Sequence, residues 1–423
     1  MEDSEASLDT LEQSVHEWIN PPKNQVMTHD PVHDSFYLPK TIWKIIDKPE
    51  YQRLRNIKQT GNTCYVYVGA EHTRFTHCIG VSHLCLEFGK TMQQDNPSML
   101  TDRQVLLLGV AGLVHDIGHC ACSHLYDNYV VPIFEPGSDF CHEHASYEIF
   151  AMMCEKYPDL SEIFNDNDVS TVGKLIFGSK KATPEKYTRI TWSEWDETHP
   201  FYYEVLSNKR TGIDVDKFDY LKRDSHYTGV KTTFEPTRLI NFYYIDKVTG
   251  VDGKTRFYLE YQPKAGEIIE VMWQSRDDLH RRVYQHRVVK CVDLMMTEVI
   301  TLCGEQYIPG TETYLCDAHH DMEAYCKITD SMVRQIATNV PEAQNIINRI
   351  DNRSLWKTVA VVESDETLNF DFTDLNAIVS VAKLRGTKIY YVYYKGNLQK
   401  LDTTFYRELI QSAHGASITM RNK

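Results

Sequence analysis

His77, His115, Asp116 and Asp216 are the residues of this chain whose types best suit holding a cation. Two imidazoles and two carboxylates from three separated segments make a nitrogen and oxygen donor set without thiolate. Such a set suits Fe, Mn, Ni, Zn or Mg and leaves positions for water and a phosphate oxygen. A cation held this way acidifies water and polarises a phosphoryl group. Taken alone, the His115-Asp116 dipeptide behind the apolar run Val105 to Val114 is better explained as a hydrogen-bonded core pair. The density of His119, His124, His142 and Glu143 around it is not explained that way. His124 and Asp127 stand three residues apart, so the carboxylate can orient the imidazole and raise its proton affinity, as a general acid requires. Arg74, Lys217 and Arg276 add positive charge for phosphates, although each by itself reads as a solvated surface group.

Helices are needed to bring these groups together. Val105 to Val114 reads as a helix buried on all sides that delivers His115 and Asp116 at its C-terminal end, with Gly118 allowing a sharp turn. Glu71 to His77 opens a helix running to about Met92, with Arg74 and His77 sharing a face, and Cys141 to His144 starts another. Asp216, Tyr220 and Asp224 recur at four-residue steps with Lys217 beside them, giving one polar helical face. Thr41 to Ile57 predicts two short helices broken by Pro49. Gly178 to Pro200 reads as a surface insertion, and Phe201 to Leu206 as a return to the core. Two alternating runs around Gly250-Val-Asp-Gly253 predict a hairpin over Phe242 to Tyr261. Long helices resume near Glu267, and Thr329 to Ile350 is helical. The run Lys388 to Tyr394, the turn Lys395-Gly-Asn397 and a further alternating stretch suggest a second hairpin. The expected architecture is mainly α: an acidic tail over 1–22, a helical core over 23–302 and a smaller α+β lobe over 303–423 that regulates or oligomerises.

With 423 residues, 42% of them hydrophobic, a large core is available. A formal charge of -14 argues against broad wrapping of nucleic acid or anionic membrane, while leaving room for a local basic pocket. Eleven cysteines without regular spacing or a signal peptide fit reduced thiols in an intracellular, cytoplasmic or nuclear setting. No run of Lys and Arg reads as a nuclear import signal, and no apolar stretch approaches the roughly 18 to 20 residues of a membrane span.

Longer motifs then speak. Tyr51-Gln-Arg-Leu-Arg55, Arg74-Phe-Thr-His77, His115-Asp-Ile-Gly-His119, Ser207-Asn-Lys-Arg210, Gly212 to Tyr220, Leu279-His-Arg-Arg282, Tyr284-Gln-His286 and Asp321-Met-Glu-Ala-Tyr325 occur in order. From about Asp30 to Lys400 the chain resembles the SAM- and HD-domain deoxynucleoside triphosphate triphosphohydrolases, within the HD-domain phosphohydrolase superfamily. That resemblance implies an HD helical core around a divalent metal (Fe, Mn, Zn or Mg), with a second Mg at the triphosphate. The implied reaction is hydrolysis of a dNTP, by attack of water on the α-phosphorus, to deoxynucleoside and inorganic triphosphate. It also implies lowered dNTP pools and restriction of viral replication.

By motif matching, His124 protonates the leaving 5′ oxygen with Asp127 in support, and His142 and Glu143 belong to the same catalytic group. His119, His142, Lys217, Tyr220, Arg74 and Arg276 hold the triphosphate. Gln59 and Asp224 read the 3′-hydroxyl, Tyr284 packs on the sugar and Gln285 lies near the base. Asp47, Gln52, Arg55 and Arg353 match guanine-reading positions of an activating GTP or dNTP site that bridges subunits of a dimer or tetramer. Arg238, Lys264, His286, Arg287 and Lys357 are further contacts there. Thr60 stands where the family has an apolar residue, and Val26, His29 and Gln262 depart from its regulatory positions. The segment before Asp30 is too short for a SAM module. Two other readings are a different HD nucleotidase or phosphodiesterase, and a nucleotide-sensing or nucleic-acid-binding scaffold.

Overall fold

The computed structural model describes residues 24–370, 377–384, 387–395, 403–413 and 416–420. The expected tail over 1–22 lies outside these residues, as do Gly396 and Asn397 of the expected C-terminal turn. The fold is mainly α. A hairpin of β1 (Gln25–Asp30) and β2 (Asp34–Pro39) leads into α1 (Lys40–Ile46) and two short turns of helix before and after Gln52, with Pro49 opening the first of them. Sequence periodicity missed this hairpin. The long helices α2 (Arg74–Asp95) and α3 (Asp102–Val114) form the centre.

α3 starts where Thr101 and Gln104 form a reciprocal capping box, and every residue from Val105 to Val114 is buried. It lies close against α2 because Gly109 and Gly112 carry no side chain. A Cβ at Gly109 would come 2.5 Å from Leu86, and one at Gly112 would come 2.8 Å from Cys85 Sγ. Ser82 Oγ uses this proximity to donate to the Gly109 carbonyl at 2.8 Å.

Around this pair stand α4 (His142–Lys156), α5 (Asp166–Phe177) and α6 (Val215–Thr228). The hairpin β3 (Tyr243–Thr249) and β4 (Thr255–Tyr261) follows, antiparallel about the predicted turn. α7 (Gly266–Leu279) and α8 (Arg287–Leu302) are joined by a π-helical turn, His280–Tyr284. Residues 178–200 run mostly over the surface, as expected, and are anchored to the core at two points. Ile190 is buried with Tyr147 and Phe177, and Lys174 pairs with Asp196 at 2.7 Å with both side chains almost fully covered.

The boundary expected at 302/303 is also corrected. Ile308, Leu315, Tyr325, α9 (Asp330–Ala337) and α10 (Pro341–Asp351) bury their apolar faces in the same core as α2 and α3. A second, smaller core begins at Val359. It lies in an antiparallel sheet of order β6-β7-β5-β8, with β5 (Lys357–Ser364), β6 (Ala377–Leu384), β7 (Thr387–Tyr394) and β8 (Ser417–Met420). Phe405 and Leu409 of α11 (Thr403–Ser412) complete it. No described helix is long and apolar enough to cross a membrane.

Candidate active site

Three of the four expected ligands, His77, His115 and Asp216, bring donor atoms within 4.8 Å of one another, and Asp116 lies beside them with one oxygen paired to Arg74. His77 comes from the first turn of α2, His115 caps α3 and Asp116 follows it, and Asp216 lies in the first turn of α6. His77 Nε2 is 3.2 Å from Asp216 Oδ1 and 3.4 Å from Asp116 Oδ2. His115 Nε2 is 3.4 Å from Asp216 Oδ1 and 3.5 Å from Asp116 Oδ1. Two ligands at right angles, each about 2.1 Å from one ion, are about 3 Å apart, so these spacings suit a shared cation.

The tautomers agree. His115 Nδ1 lies 2.9 Å from the Gly112 carbonyl, which can only accept, so Nδ1 carries the proton and Nε2 the lone pair. His77 Nδ1 is held at 2.7 Å by Asp219. Both Nε2 atoms are buried without a hydrogen-bond partner, as ligand nitrogens awaiting an ion would be. Burial opposes charge on His77, yet the carboxylates of Asp116, Asp216 and Asp219 close around it hold its imidazole well above the usual range. Burial likewise opposes charge on Asp216, and His115 and His77 override it to hold that carboxyl well below its ordinary value.

Gly118 lies in a turn, as expected, but its backbone angle is not what demands glycine. Its φ is not positive; a Cβ there would lie 2.1 Å from the His142 carbonyl oxygen and 2.4 Å from Ser146 N. The missing side chain lets the first turn of α4 sit against the metal-ligand segment. Ser146 Oγ locks the approach by accepting from Gly118 N at 2.8 Å and donating to the His115 carbonyl at 2.6 Å.

The acid-base group is wired differently from expectation. Asp127 Oδ2 bonds His142 Nδ1 at 2.7 Å and stands 3.9 Å from His124 Nδ1. The chain leaves regular helix geometry at a π-helical turn, Tyr126–Val130, so the three-residue spacing of His124 and Asp127 does not close into a hydrogen bond. His124 is well exposed, whereas His142 is mostly covered and stacks on His119 at 3.9 Å. Against the cost of burial, Glu143 and Asp127 raise the His142 imidazole to about 9. Burial and Arg74 push His119 well below its usual value.

Above the ligands opens a cleft of about 500 Å³. Gln59, Arg74, Lys217, Tyr220, Asp224, Arg276, Tyr284 and Gln285 line it along with His124 and His142, while His119 lies behind. Arg74 is committed to its ion pair with Asp116 and to Ser123 Oγ at 2.9 Å, and Lys217 is paired with Asp214 at 3.0 Å. Arg276 has a buried Nε with no partner. At the far end Tyr284 donates to Asp224 at 2.5 Å, and His72, not singled out from sequence, bonds the other Asp224 oxygen at 2.6 Å. Gln59 Oε1, Thr60 Oγ1 and Gln285 Oε1 are buried and unpaired.

Lys290 and Asp293 of α8 also line the cleft and were missed, although their three-residue spacing on a helix was a readable signal. One wall turns through Cys122 and Ser123, both at positive φ. Two bonds pin this strained pair: Cys122 N donates to Asp330 at 2.8 Å, and Ser123 Oγ donates to the Lys58 carbonyl at 2.7 Å.

None of Asp47, Gln52, Arg55, Arg238, Lys264, His286, Arg287, Arg353 and Lys357 lines this cleft. Gln52 and Arg55 bond each other at 2.8 Å, Arg353 donates to the Tyr65 carbonyl at 2.5 Å and His286 caps α8.

The HD domain family matches residues 74–224, the span from α2 to α6 that carries all four candidate ligands. The chain is 32% identical over 373 residues to the deoxynucleoside triphosphate triphosphohydrolase SAMHD1 of Homo sapiens, covering 84% of this chain and 58% of that protein. It is 31% identical over 354 residues to the SAMHD1 homolog of Dictyostelium discoideum, covering 81% of this chain and 62% of that one. It is 28% identical over 354 residues to a putative HD domain-containing protein of Acanthamoeba polyphaga mimivirus, covering 76% and 70%. The chain thus spans a little over half the length of the human relative.

Proposed function

From the HD domain formed by residues 74–224, we propose that this chain is a metal-dependent triphosphohydrolase that cleaves a dNTP to deoxynucleoside and inorganic triphosphate. One observation carries the reading: a single cleft has two carboxylates at its base with two unpartnered imidazole nitrogens buried beside them, cationic and imidazole groups on its walls, and Tyr284 with Asp224 at its far end. The likeness to relatives named for this activity supports it.

His77, His115, Asp116 and Asp216 would hold a divalent ion, Fe, Mn, Zn or Mg, whose chemistry there is to acidify water and polarise the phosphoryl oxygen. The chain's own groups do the rest. Arg276 and Lys217, with Arg74 behind them, neutralise the triphosphate, beside which a second Mg would sit, and the uncharged His119 is left to hold it by a hydrogen bond. Tyr220 closes the phosphate side. Asp224, fixed between Tyr284 and His72, accepts from the 3′-hydroxyl together with Gln59. Tyr284 packs on the sugar and Gln285 meets the base.

His124 donates its Nε2 proton to the departing 5′ oxygen. Its Nδ1 faces Asp127, which also aligns His142, while Glu143 supports the charge on His142. The nine residues outside the cleft would hold a GTP or dNTP activator between copies of the chain in a dimer or tetramer, in an intracellular compartment.

The test is ion-exchange analysis of products from dGTP or dATP with Mn or Mg, with and without GTP, beside an Asp216→Ala control. Deoxynucleoside plus intact triphosphate, lost in the control, is the expected result. Release of pyrophosphate or single phosphates would overturn it in favour of another HD nucleotidase.

A further inference from the structure

Outside the cleft, Glu135, His319 and His320 bring a carboxylate oxygen and two imidazole nitrogens within 4.8 Å of one another. Nothing in the proposed reaction uses them. His319 Nε2 is 2.8 Å and His320 Nε2 is 3.5 Å from the same oxygen, Glu135 Oε2. The two rings sit side by side, with centroids 4.0 Å apart and tilted by 40°. A lone hydrogen-bonded His–Glu pair needs only one of these imidazoles.

The three groups differ in exposure in a way that suits capture of an ion from solvent. The His319 side chain is 3% exposed and wedged against Phe140 at 5.6 Å, so it is held still. His320, 61% exposed, and Glu135, 44% exposed, form the open side through which an ion and its remaining waters would enter.

We propose that Glu135, His319 and His320 form a second metal site, for a borderline divalent transition ion such as zinc, separate from the HD ligands. Two imidazoles and one carboxylate are a complete protein ligand set for zinc with one position left to water, and they are poor ligands for Mg or Ca, which prefer all-oxygen shells.

The placement gives the site a consequence. Glu135 ends the one-turn helix Val131–Phe134, and His319 and His320 end the 3-10 helix Leu315–His320. A bound ion ties these two pieces together at the start of the segment that runs from Glu135 into α4 and His142. Phe140, in that segment, packs on Tyr325, whose hydroxyl donates to the Gly118 carbonyl at 2.8 Å. Occupancy therefore stiffens the wall that positions His142, without a group of the site entering the cleft.

Equilibrium dialysis of the full chain against zinc, with metal analysis of the retained protein, tests this on wild type, Glu135→Gln, His320→Gln and the exposed control His226→Gln. The HD ligands are intact in all four, so any zinc they take cancels. Wild type and control should hold one more zinc per chain than the two variants, whose affinity for that ion falls at least about tenfold. Zinc should also raise the melting temperature of wild type more than that of the variants, while hydrolysis without added zinc is the same in all four. Equal zinc content and affinity across the four proteins would overturn the site, and would leave the HD reading untouched.

Discussion

Asp219 shows how much of the metal site is set by a residue that does not touch it. Its fully buried carboxylate takes His77 Nδ1 at 2.7 Å, His33 Nε2 at 2.6 Å and Arg223 at 2.8 Å. Arg223 in turn holds Asp30 at 2.9 Å. Burial opposes the charge, but Arg223 and the two histidines keep the carboxyl well below its usual range. In Asp219→Asn one oxygen becomes an NH2 donor that faces one Arg223 N–H and one of the two histidines, and the charge that held His77 is lost, so the amide cannot accept from His77, His33 and both Arg223 donors at once. The His77 tautomer is then no longer fixed with Nε2 free for an ion. Metal affinity should fall about 10- to 100-fold, as for other residues that orient a ligand. The buried arginine, left half-compensated, should cost about 3–5 kcal/mol of stability. Calorimetric titration with Mn beside a denaturant melt measures both, and unchanged affinity would show that Asp219 does not set the ring. The sequence held a clue in Asp219 and Arg223 at four-residue spacing on one helix. It could not show that His77 lies across from them.

At the scale of elements, the hairpin of β1 and β2 clamps α2 through buried polar groups. His83 of α2 stacks on Phe36 of β2 at 4.1 Å, beside His33 and with Glu87 at 3.5 Å; Asp30, Asp219 and Lys90 complete its charged surroundings. Burial first, and His33 second, push the His83 imidazole down to about 4. The unfolded chain protonates this residue near 6.5 and the folded chain near 4, so stability is lost as pH falls through that window. The loss is about 2 kcal/mol at pH 5. His83→Gln should be less stable at pH 7 for want of the stacked ring, yet should lose about 2 kcal/mol less than wild type on going to pH 5. Urea denaturation at the two pH values decides this, and parallel losses would refute the buried neutral imidazole.

What was legible at this scale follows from periodicity. α3 announced itself by an unbroken apolar run, α6 by Asp216, Tyr220 and Asp224, and the β3–β4 hairpin by its glycine turn. The β1–β2 hairpin was not legible because its strands bury few apolar residues and are held by Asp30 and His33 reaching distant partners. The boundary at 303 failed for a related reason. Short helices after Cys303 look like a new unit in sequence, yet their apolar faces complete the core begun by α2.

For the whole molecule, that shared core decides how an ion at the HD site is felt. The ligands come from α2, α3 and α6, all parts of one apolar core that runs from Phe36 to Trp356 and takes in Tyr393 of β7, so binding is linked to unfolding of that body. An ion at a hundred times its dissociation constant stabilises the native state by about 2.7 kcal/mol. With unfolding entropy near 2.1 cal/mol/K per residue, a body of roughly 320 residues from Phe36 to Trp356 has a total of about 0.7 kcal/mol/K. The shift in melting temperature is therefore only about 4 °C, because the same free energy is spread over a large cooperative unit. Chelation should lower the melting temperature by about that much and excess Mn should restore it, while Asp216→Ala should gain nothing from Mn. The sheet built on Val359, Val362 and Tyr390 contributes no ligand and has its own core, so a separate transition from it should not move with chelation. An equal response of Asp216→Ala and wild type would place the stabilising ion elsewhere, with Glu135, His319 and His320 as the first residues to substitute.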